Sequence, residues 1–398
     1  MINCFIPFLS LPQAGQTVRA LRLCDRIKNI YLLATEKIPG EVEGCSILMI
    51  DSFASTATYR TIALHADTAY TLLYTKYTVF EPGQFAFERL LAIAGDTNAG
   101  MLYADRYQVE GGNRKLAPVI DYQKGSLRDD FDFGSLLFFR SSVLKQAVRA
   151  MDADYRFAGL YDLRLRVSEL SELVHVNEYL YSEVETDTRK SGEKLFDYVD
   201  PKNRAVQIEM ESVCTAYLKR IGGYLAPGFE PISFDIDGFE QEASVIIPVR
   251  NRVRTIEDAI RSVLMQETTF RFNLIIVDNH STDGTSEAIE KYTTDKRVIH
   301  LIPERFDLGI GGCWNVGVHH PACGKFAVQL DSDDVYSGPD TLQKIVNAFY
   351  EQNCAMVVGT YRMTDFKMNE IPPGIIDHRE WTPDNGRNNA LRINGLGA

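Results

Sequence analysis

The sequence predicts an α/β fold in which each half of the chain forms a mainly parallel β-sheet flanked by helices. Three observations lead to this class. Apolar, β-branched runs of strand length recur along the chain, helical patterns separate them, and turn residues or aspartates follow several of the runs. Strands that are apolar throughout and alternate with helices are typical of parallel sheets covered on both faces.

Chain length and composition indicate two domains. The 398 residues exceed what one ordinary hydrophobic core accommodates. Residues 226–241 combine turn residues with a change in composition, which is typical of a linker. We therefore expect one domain over residues 1–225 and a second over residues 242–398.

The second half shows the clearer alternation of strands and helices. Its second strand ends at Asp278, and a turn rich in Ser, Thr, Asp and Gly follows. Its fourth strand runs into the acidic segment 331–334. The strands expected in this half cover residues 243–249, 274–277, 298–302 and 326–330.

The first half repeats this pattern. Residues 70–77 align with residues 327–334 without a gap, and residues 100–103 resemble residues 355–358. The strands expected in this half cover residues 2–7, 29–33, 46–50 and 70–77. The similarity predicts an internal duplication, and the alternative is chance similarity between two α/β patterns.

Charge and composition exclude several classes of partner. The net charge of −12 argues against nucleic acid and anionic membranes, which bind cationic surfaces. The apolar runs are too short to span a membrane, and the first residues lack the features of a signal peptide. The seven cysteines have no zinc-binding spacing and are expected to be free thiols. We expect a cytoplasmic protein, with peripheral proximity to a membrane left open.

Carboxylates at two strand ends form the candidate site. Ligands of open α/β sheets bind beyond the carboxyl ends of the strands. Asp278 ends one strand, and Asp331 and Asp333 follow another, where residues two apart can face one ligand. Mg²⁺ or Mn²⁺ relieves the repulsion between such carboxylates and binds substrate phosphates as well. The pattern predicts a diphosphate-bearing ligand, and the alternative is a solvated acidic turn.

Two other patterns in this half indicate no ligand site. The glycine cluster at residues 309–312 follows no first strand and precedes no Walker lysine, so it matches neither dinucleotide-binding nor P-loop proteins. His319 and His320 are expected at the end of a helix. Neither pattern changes the prediction of a site at the strand ends.

Five short motifs follow one another in the second half, at residues 244–251, 275–285, 307–309, 315–317 and 330–334. In this order and spacing they resemble family 2 glycosyltransferases of the GT-A fold, the fold of nucleotide-diphospho-sugar transferases. The resemblance implies two GT-A-like domains and, for the second, an inverting transferase that uses a nucleotide-diphosphate sugar with Mn²⁺ or Mg²⁺. UDP is favoured by its frequency in the family.

The resemblance also implies roles for individual residues. Arg250 stands where many relatives have an aromatic residue, so its guanidinium would stack on the base. Asp278 matches the aspartate that contacts the nucleobase, Asp331 lies near the ribose and the metal, and Asp333 matches the metal ligand on the diphosphate. The implied nucleotide-sugar site comprises Pro248, Arg250, Asn251, Asp278, Asp331 and Ser332.

The implied reaction transfers a sugar to a saccharide or lipid-linked acceptor. A positioned carboxylate takes the proton of the attacking hydroxyl. In the family this base follows the D-x-D motif, which is Asp331-Ser332-Asp333 in this sequence, at a greater distance than the 65 residues between Asp333 and Ala398. We therefore expect the base beyond Ala398, leave the catalytic residue unassigned, and expect weak or no turnover.

The first half departs from the family pattern. Lys76 stands within the segment that matches the D-x-D motif, and Ala34 matches Asp278. Asp162 nevertheless matches the catalytic base. We expect a degenerate, non-catalytic copy that acts as a scaffold or binds acceptor, and direct contact of Lys76 with a phosphate is the alternative.

Two alternative functions remain open from the sequence. One is a non-catalytic nucleotide-sugar-binding or scaffolding fragment of a larger glycosyltransferase. The other is a nucleotidyltransferase, which also uses strand-end carboxylates and a metal. Nucleotidyltransferases usually carry a basic, glycine-rich N-terminal loop, and residues 246–249 do not form one.

Overall fold

The computed structural model describes residues 1–184, 204–226, 228, 230–235 and 238–376. The chain divides into two compact units between residues 227 and 228. The second unit ends at Thr360, and the described residues from Tyr361 onward group with the first unit. The division between the units falls inside the predicted linker.

The first unit contains a 9-stranded sheet. Its strands are β1 (Ile2–Pro7), β2 (Ile27–Ala34), β3 (Ser46–Met49), β4 (Tyr70–Tyr74), β5 (Val79–Pro82), β6 (Met101–Glu110), β7 (Asn113–Ala117), β8 (Leu136–Arg140) and β9 (Leu173–Val184). Its helices are α1 (Leu11–Arg22), α2 (Thr56–His65), α3 (Ala86–Thr97), α4 (Ser141–Arg149), α5 (Gly159–Leu170) and α6 (Arg204–Arg220). The strand order is β3-β2-β1-β4-β8-β6-β9-β5, with β7 beside β6.

The sheet of the first unit is mixed, whereas the sequence predicted a mainly parallel one. Strands β1 to β4 are parallel, but β8 is antiparallel to both β4 and β6. Short connections explain part of the difference, because only crossover connections can join parallel neighbours. Gly111 and Gly112, with φ of 56° and 81°, form the tight turn that folds β7 back against β6.

The second unit contains a 4-stranded parallel sheet, as predicted, with the order β12-β11-β10-β13. Its strands are β10 (Ala243–Val249), β11 (Phe272–Asp278), β12 (Val298–Leu301) and β13 (Phe326–Gln329). Its helices are α7 (Ile256–Leu264), α8 (Thr285–Glu290), α9 (Gly309–Val318) and α10 (Thr341–Gln352). A hairpin of β14 (Tyr361–Thr364) and β15 (Glu370–Ile376) follows and belongs to the first unit.

Both faces of the second sheet are buried. Val245 and Ile247 pack on one face against apolar residues of α7, α8 and α10. Ile246 and Ile275 pack on the other face with Cys313 of α9. Every residue of β10 and β11 is buried, and the two covered faces explain why most residues of these strands are apolar.

The sequence predicted the end of helix α9 at His319 but not its start, because three glycines crowd its first turn. One later glycine explains how the helix lies close to the sheet. A Cβ atom on Gly317 would stand 2.6 Å from Cγ2 of Ile246 in β10. His319 caps the end of this helix, as expected.

The first four strands have the same spatial order in both units. β3-β2-β1-β4 and β12-β11-β10-β13 each run third, second, first, fourth. The similarity between residues 100–103 and 355–358 does not extend to structure, because β6 begins at Met101 whereas residues 355–358 form no strand. Met356 is 74% exposed, and no described strand of the second unit corresponds to β8 or β9, the partners of β6. The internal duplication stays a prediction.

The composition led us to expect free cysteines and no membrane-spanning segment. None of the seven cysteines forms a disulfide bond. In the part of the chain that the structure describes, no helix has the length and apolar character that crossing a bilayer requires.

Replacing two of the four glycines of α9 tests how this helix packs. Gly317→Ala should lower the free energy of unfolding by about 1–3 kcal/mol, because the added methyl meets buried Ile246. Gly311→Ala in the same helix meets no atom within 4 Å and should be neutral or stabilising by up to about 1 kcal/mol. Urea denaturation of both variants measures the difference. Equal effects would show that α9 does not pack as described.

Candidate functional site

The predicted site residues of the second unit gather at one edge of its sheet. In the parallel pairing of β10 with β11, Val249 lies opposite Asp278. The backbone N–H of Asn279 donates to the carbonyl of Val249 at 2.8 Å. The loops that follow the two strands therefore start side by side. The acidic segment follows β13, which is parallel to β10 on its other side, and so lies at the same edge.

Asn251 connects the first loop to the second. It has a φ of 55°, a left-handed conformation that asparagine tolerates better than most residues. Its N–H donates to Oγ of Ser281 at 2.9 Å, and its Oδ1 accepts from the N–H of Thr282 at 2.8 Å. Asn251 was predicted to line the nucleotide site, and its side-chain oxygen already accepts a hydrogen bond from the backbone of the second loop.

Two further hydrogen bonds join these loops. The N–H of Arg252 donates to Oγ1 of Thr285 at 2.8 Å, and that of Val253 donates to Oδ2 of Asp283 at 3.2 Å. Asp283 also accepts from the N–H of Thr285 at 3.1 Å at the start of α8. The backbone of residues 251–253 is thus anchored on side chains of the neighbouring loop.

Asp278 is completely buried, and both carboxylate oxygens are engaged. Oδ1 accepts from the N–H of Ser281 at 2.9 Å, and Oδ2 accepts from the hydroxyl of Ser286. Nε2 of His300 lies 3.6 Å from Oδ2. Burial favours the neutral carboxyl group, but these partners outweigh it and hold the pKa of Asp278 well below its usual range.

His300 is a site residue that the sequence reasoning missed. It lies within β12, and its ring stands between the carboxylates of Asp278 and Glu290, whose Oε2 is 3.3 Å from Nδ1. The proximity of Asp278 raises the pKa of His300, burial opposes the rise, and Glu290 adds to it. The available signal was a lone histidine in an apolar strand beside the strand that ends at Asp278.

The acidic turn is exposed and crowded with negative charge. Asp331 and Asp333 face solvent, whereas Ser332 between them is buried. The N–H of Asp334 donates to the carbonyl of Asp331 at 3.1 Å, which closes the turn. Partial burial and the charges of Asp331 and Asp333 raise the pKa of Asp334.

The carboxylates of Asp331 and Asp333 fit a divalent cation whose other coordination positions are filled by a ligand. Within the described residues, no third His, Cys, Asp or Glu joins Asp331 and Asp333 in a metal-binding cluster. Mg²⁺ usually takes one or two carboxylates and fills its remaining positions with waters and phosphates. Two exposed carboxylates can therefore hold such a cation when a phosphate-bearing ligand supplies the rest.

The other residues at these strand ends differ in how accessible they are to a ligand. Pro248 is buried within β10, and Arg250 is exposed. Asn279, beside Asp278, is only 7% exposed, and its Oδ1 accepts no hydrogen bond from any described residue. Arg252, which the sequence reasoning did not single out, places Nε 3.7 Å from Oδ2 of Asp333.

A groove of about 540 Å³ lies along α9 and the residues that precede it. Asp307, Leu308, Asn315 and His319 are among the residues that line it. Asp307 and Asn315 belong to two of the motifs on which the family resemblance rests. The groove therefore adds a concave surface to the second unit at these motifs.

The matching positions of the first unit have different chemistry. Lys76, after β4, is exposed and carries the opposite charge to the acidic turn. Asp162 is buried in α5, where its Oδ1 accepts from Nε of Arg166 at 2.9 Å and lies 4.0 Å from Nη2 of Arg220. Burial raises the pKa of Asp162, and the two arginines partly offset the rise. The carboxylate at the predicted base position is thus held in a buried ion pair.

Comparison with known proteins supports the resemblance of the second unit. Residues 244–396 match the family model described as glycosyl transferase family 2. The matched segment contains every candidate site residue from Pro248 to Asp333.

Three curated relatives are glycosyltransferases by name. An uncharacterized glycosyltransferase of Rickettsia felis is 38% identical over 24% of this chain and 15% of its own length. TuaG of Bacillus subtilis, named for teichuronic acid biosynthesis, is 33% identical over 30% of this chain and 46% of its own. The Campylobacter jejuni GalNAc(5)-diNAcBac-PP-undecaprenol beta-1,3-glucosyltransferase is 32% identical over 27% and 35%. Each match thus covers less than half the length of the relative.

The ion pair of His300 predicts a pH-dependent contribution to stability. Because the folded-state pKa of His300 is raised, its contribution is complete below the unfolded pKa of about 6.5 and is lost as pH rises through the folded value. His300→Gln should therefore lower the free energy of unfolding by about 1–3 kcal/mol near pH 6. The difference from wild type should shrink toward about pH 9.

Denaturation across this pH range measures the effect. His319→Gln is the matched control, since this exposed histidine pairs with no carboxylate in the described part of the chain. A deficit in His300→Gln that stays constant with pH would show that the ring does not form the charged pair.

Proposed function

We propose that the chain is a metal-dependent inverting glycosyltransferase whose second unit binds a nucleotide-diphosphate sugar, with UDP as the favoured nucleotide. The observation that carries the proposal is the gathering of Asp278, Asp331 and Asp333 at the carboxyl edge of one parallel sheet. The family match over residues 244–396 supports the reaction class. A GT-A fold for both units is part of the same proposal.

The nucleobase would lie beside the first two strand ends. Asp278 is an ionised hydrogen-bond acceptor, and Asn279 offers a buried carbonyl oxygen that no described donor uses. A base that presents N–H groups, as the imide of uracil does, would donate to these oxygens. Because both residues are buried and Ser281 and Ser286 bind the Asp278 oxygens, the base would reach them only after the loop that follows β11 moves. The exposed guanidinium of Arg250 would cover the face of the base.

The sugar diphosphate would lie over the acidic turn. Asp333, with Asp331, would hold Mn²⁺ or Mg²⁺, which when bound neutralises charge on the leaving diphosphate. Asp331 would also lie near the ribose. The acceptor hydroxyl attacks the anomeric carbon, the bond to the diphosphate breaks, and a carboxylate accepts the hydroxyl proton.

We propose a saccharide or lipid-linked acceptor. Two relatives support this class by their names, since one is named for teichuronic acid biosynthesis and the other for an undecaprenol-linked saccharide. Release of UDP from a UDP-sugar in the presence of such an acceptor would distinguish a transferase from a non-catalytic nucleotide-sugar-binding protein, which shares the site without turnover.

The first unit is proposed to be a degenerate, non-catalytic copy. It shares the order of its first four strands with the second unit, which supports a common origin. Lys76 replaces the acidic turn, and Asp162 is tied to Arg166. Neither residue is then available for metal binding or proton transfer.

Nucleotide binding tests the site in the second unit. The parent chain should bind UDP in the presence of Mn²⁺, and Asp333→Asn should weaken this binding at least about tenfold, which corresponds to about 1.4 kcal/mol. Isothermal titration calorimetry measures both, and Asp340→Asn removes an exposed charge seven positions away as the control. If the parent binds neither UDP nor GDP with Mn²⁺, the proposed function is wrong.

A change at Asp162 tests the role of the first unit. Asp162→Asn should leave UDP affinity with Mn²⁺ unchanged within about twofold, because the proposed donor site lies elsewhere. It should lower the free energy of unfolding by about 3 kcal/mol, since the Arg166 charge loses its buried partner. Calorimetry and urea denaturation on the same protein separate the effects. Lost nucleotide binding with intact stability would contradict a purely structural Asp162.

A further inference from the structure

We infer that Arg252 is part of the donor site, where it pairs with Asp333 in the free protein and with the diphosphate when the nucleotide sugar is bound. This inference rests on the proposed function and deepens it. It places the guanidinium of Arg252 in the site as a second positive charge, beside the divalent metal. The family resemblance placed no role on this residue.

The geometry of the free protein provides the first argument. Nε of Arg252 lies 3.7 Å from Oδ2 of Asp333. Of the described lysines and arginines, Arg252 is the one within 4.0 Å of a carboxylate of Asp331, Asp333 or Asp334. It therefore supplies the nearest positive charge to a turn that carries three carboxylates, those of Asp331, Asp333 and Asp334.

The pair between Arg252 and Asp333 is weak. Its distance exceeds that of a hydrogen bond. The side chains of Arg252 and Asp333 are 51% and 47% exposed. Exposed pairs of this kind contribute little to stability, so exchanging one partner for another has a low cost. Asp333 can thus give up Arg252 when a divalent cation arrives.

The anchored backbone provides the third argument. The N–H of Arg252 is held by Thr285, and the adjoining residues Asn251 and Val253 are held by the loop after β11. Only Nη1 of the guanidinium has a further partner among the described residues, the carbonyl of Asn251 at 3.3 Å. The backbone of Arg252 is therefore held in place, while its guanidinium keeps unused hydrogen-bond donors beside the acidic turn.

The chemistry of guanidinium suits the proposed ligand. Arginine donates two parallel hydrogen bonds to phosphate oxygens, which a single ammonium cannot match. A metal bound at Asp333 would bring the diphosphate to the place that Arg252 already faces. Released from Asp333, the guanidinium would then contact the diphosphate from the side of the first loop.

Two binding measurements on the full chain test this assignment. Titration with Mn²⁺ alone, followed by the electron paramagnetic resonance signal of the free ion, should show about two- to fivefold tighter binding to Arg252→Gln, because Asp333 loses its competing cation. Calorimetry with UDP at saturating Mn²⁺ should show about tenfold weaker binding to the same variant. The opposite directions of the two changes would support the inference.

Arg254→Gln is the matched control, because it removes the same charge from the same loop and no described ion pair involves Arg254. If Arg252→Gln behaves like Arg254→Gln in either titration, the inference is wrong while the proposed function stands. Weakening of both Mn²⁺ and UDP binding, with a lowered melting temperature, would mark Arg252 as merely structural and overturn the inference. If the parent binds no nucleotide with Mn²⁺, the proposed function fails and this assignment fails with it.

Discussion

The candidate site depends on the parallel register between β10 and β11. Because Val249 lies opposite Asp278, two loops that are distant in sequence leave the sheet as neighbours. A shift by one residue would turn Asp278 toward the opposite face of the sheet. In this register the backbone N–H groups of Asn251, Arg252 and Val253 donate hydrogen bonds to side chains of the second loop. The rigid first loop and the buried carboxylate are both consequences of it.

The site contains negative charge in two different environments. Asp278 is buried, and its charge is compensated by Ser281, Ser286 and His300 within the fold. The turn at Asp331 and Asp333 is exposed, and the described residues leave much of its charge uncompensated. A buried carboxylate with complete partners acts as a fixed acceptor, whereas exposed carboxylates that repel one another favour an added cation. The two strand ends therefore offer different chemistry, a fixed acceptor at one and an exposed pair of carboxylates at the other.

The two units illustrate how similar scaffolds can carry different chemistry. Their first four strands share one spatial order. In the second unit the fourth strand leads into an acidic turn, whereas in the first unit it leads to exposed Lys76. Buried Asp162 is paired with Arg166 in α5 of the first unit. Strand order thus follows from packing, while function is decided by a few residues at the strand ends.

The sequence by itself determined the strands of the second unit and the candidate residues that follow them. Its apolar runs are buried on both faces, so composition alone marks β10 and β11, and aspartates at their ends stand out. Three glycines in the first turn of helix α9 obscured its start, and only the later Gly317 serves a close approach to the sheet. The mixed pairing in the first unit was missed as well, because apolar runs there suggested parallel strands although β8 is antiparallel to β4 and β6.

Only the tertiary structure decided which side chains meet. Asp278, Asp333 and Arg250 could be named from order and spacing, but His300 and Arg252 could not. Their roles depend on distances of 3.6 Å and 3.7 Å to carboxylates on other elements. Local patterns specify whether a residue lies on a strand or in a turn, whereas charge pairing across a sheet edge arises from register and strand order. The physical reason is that electrostatic partners are chosen by proximity in space, which the linear sequence does not contain.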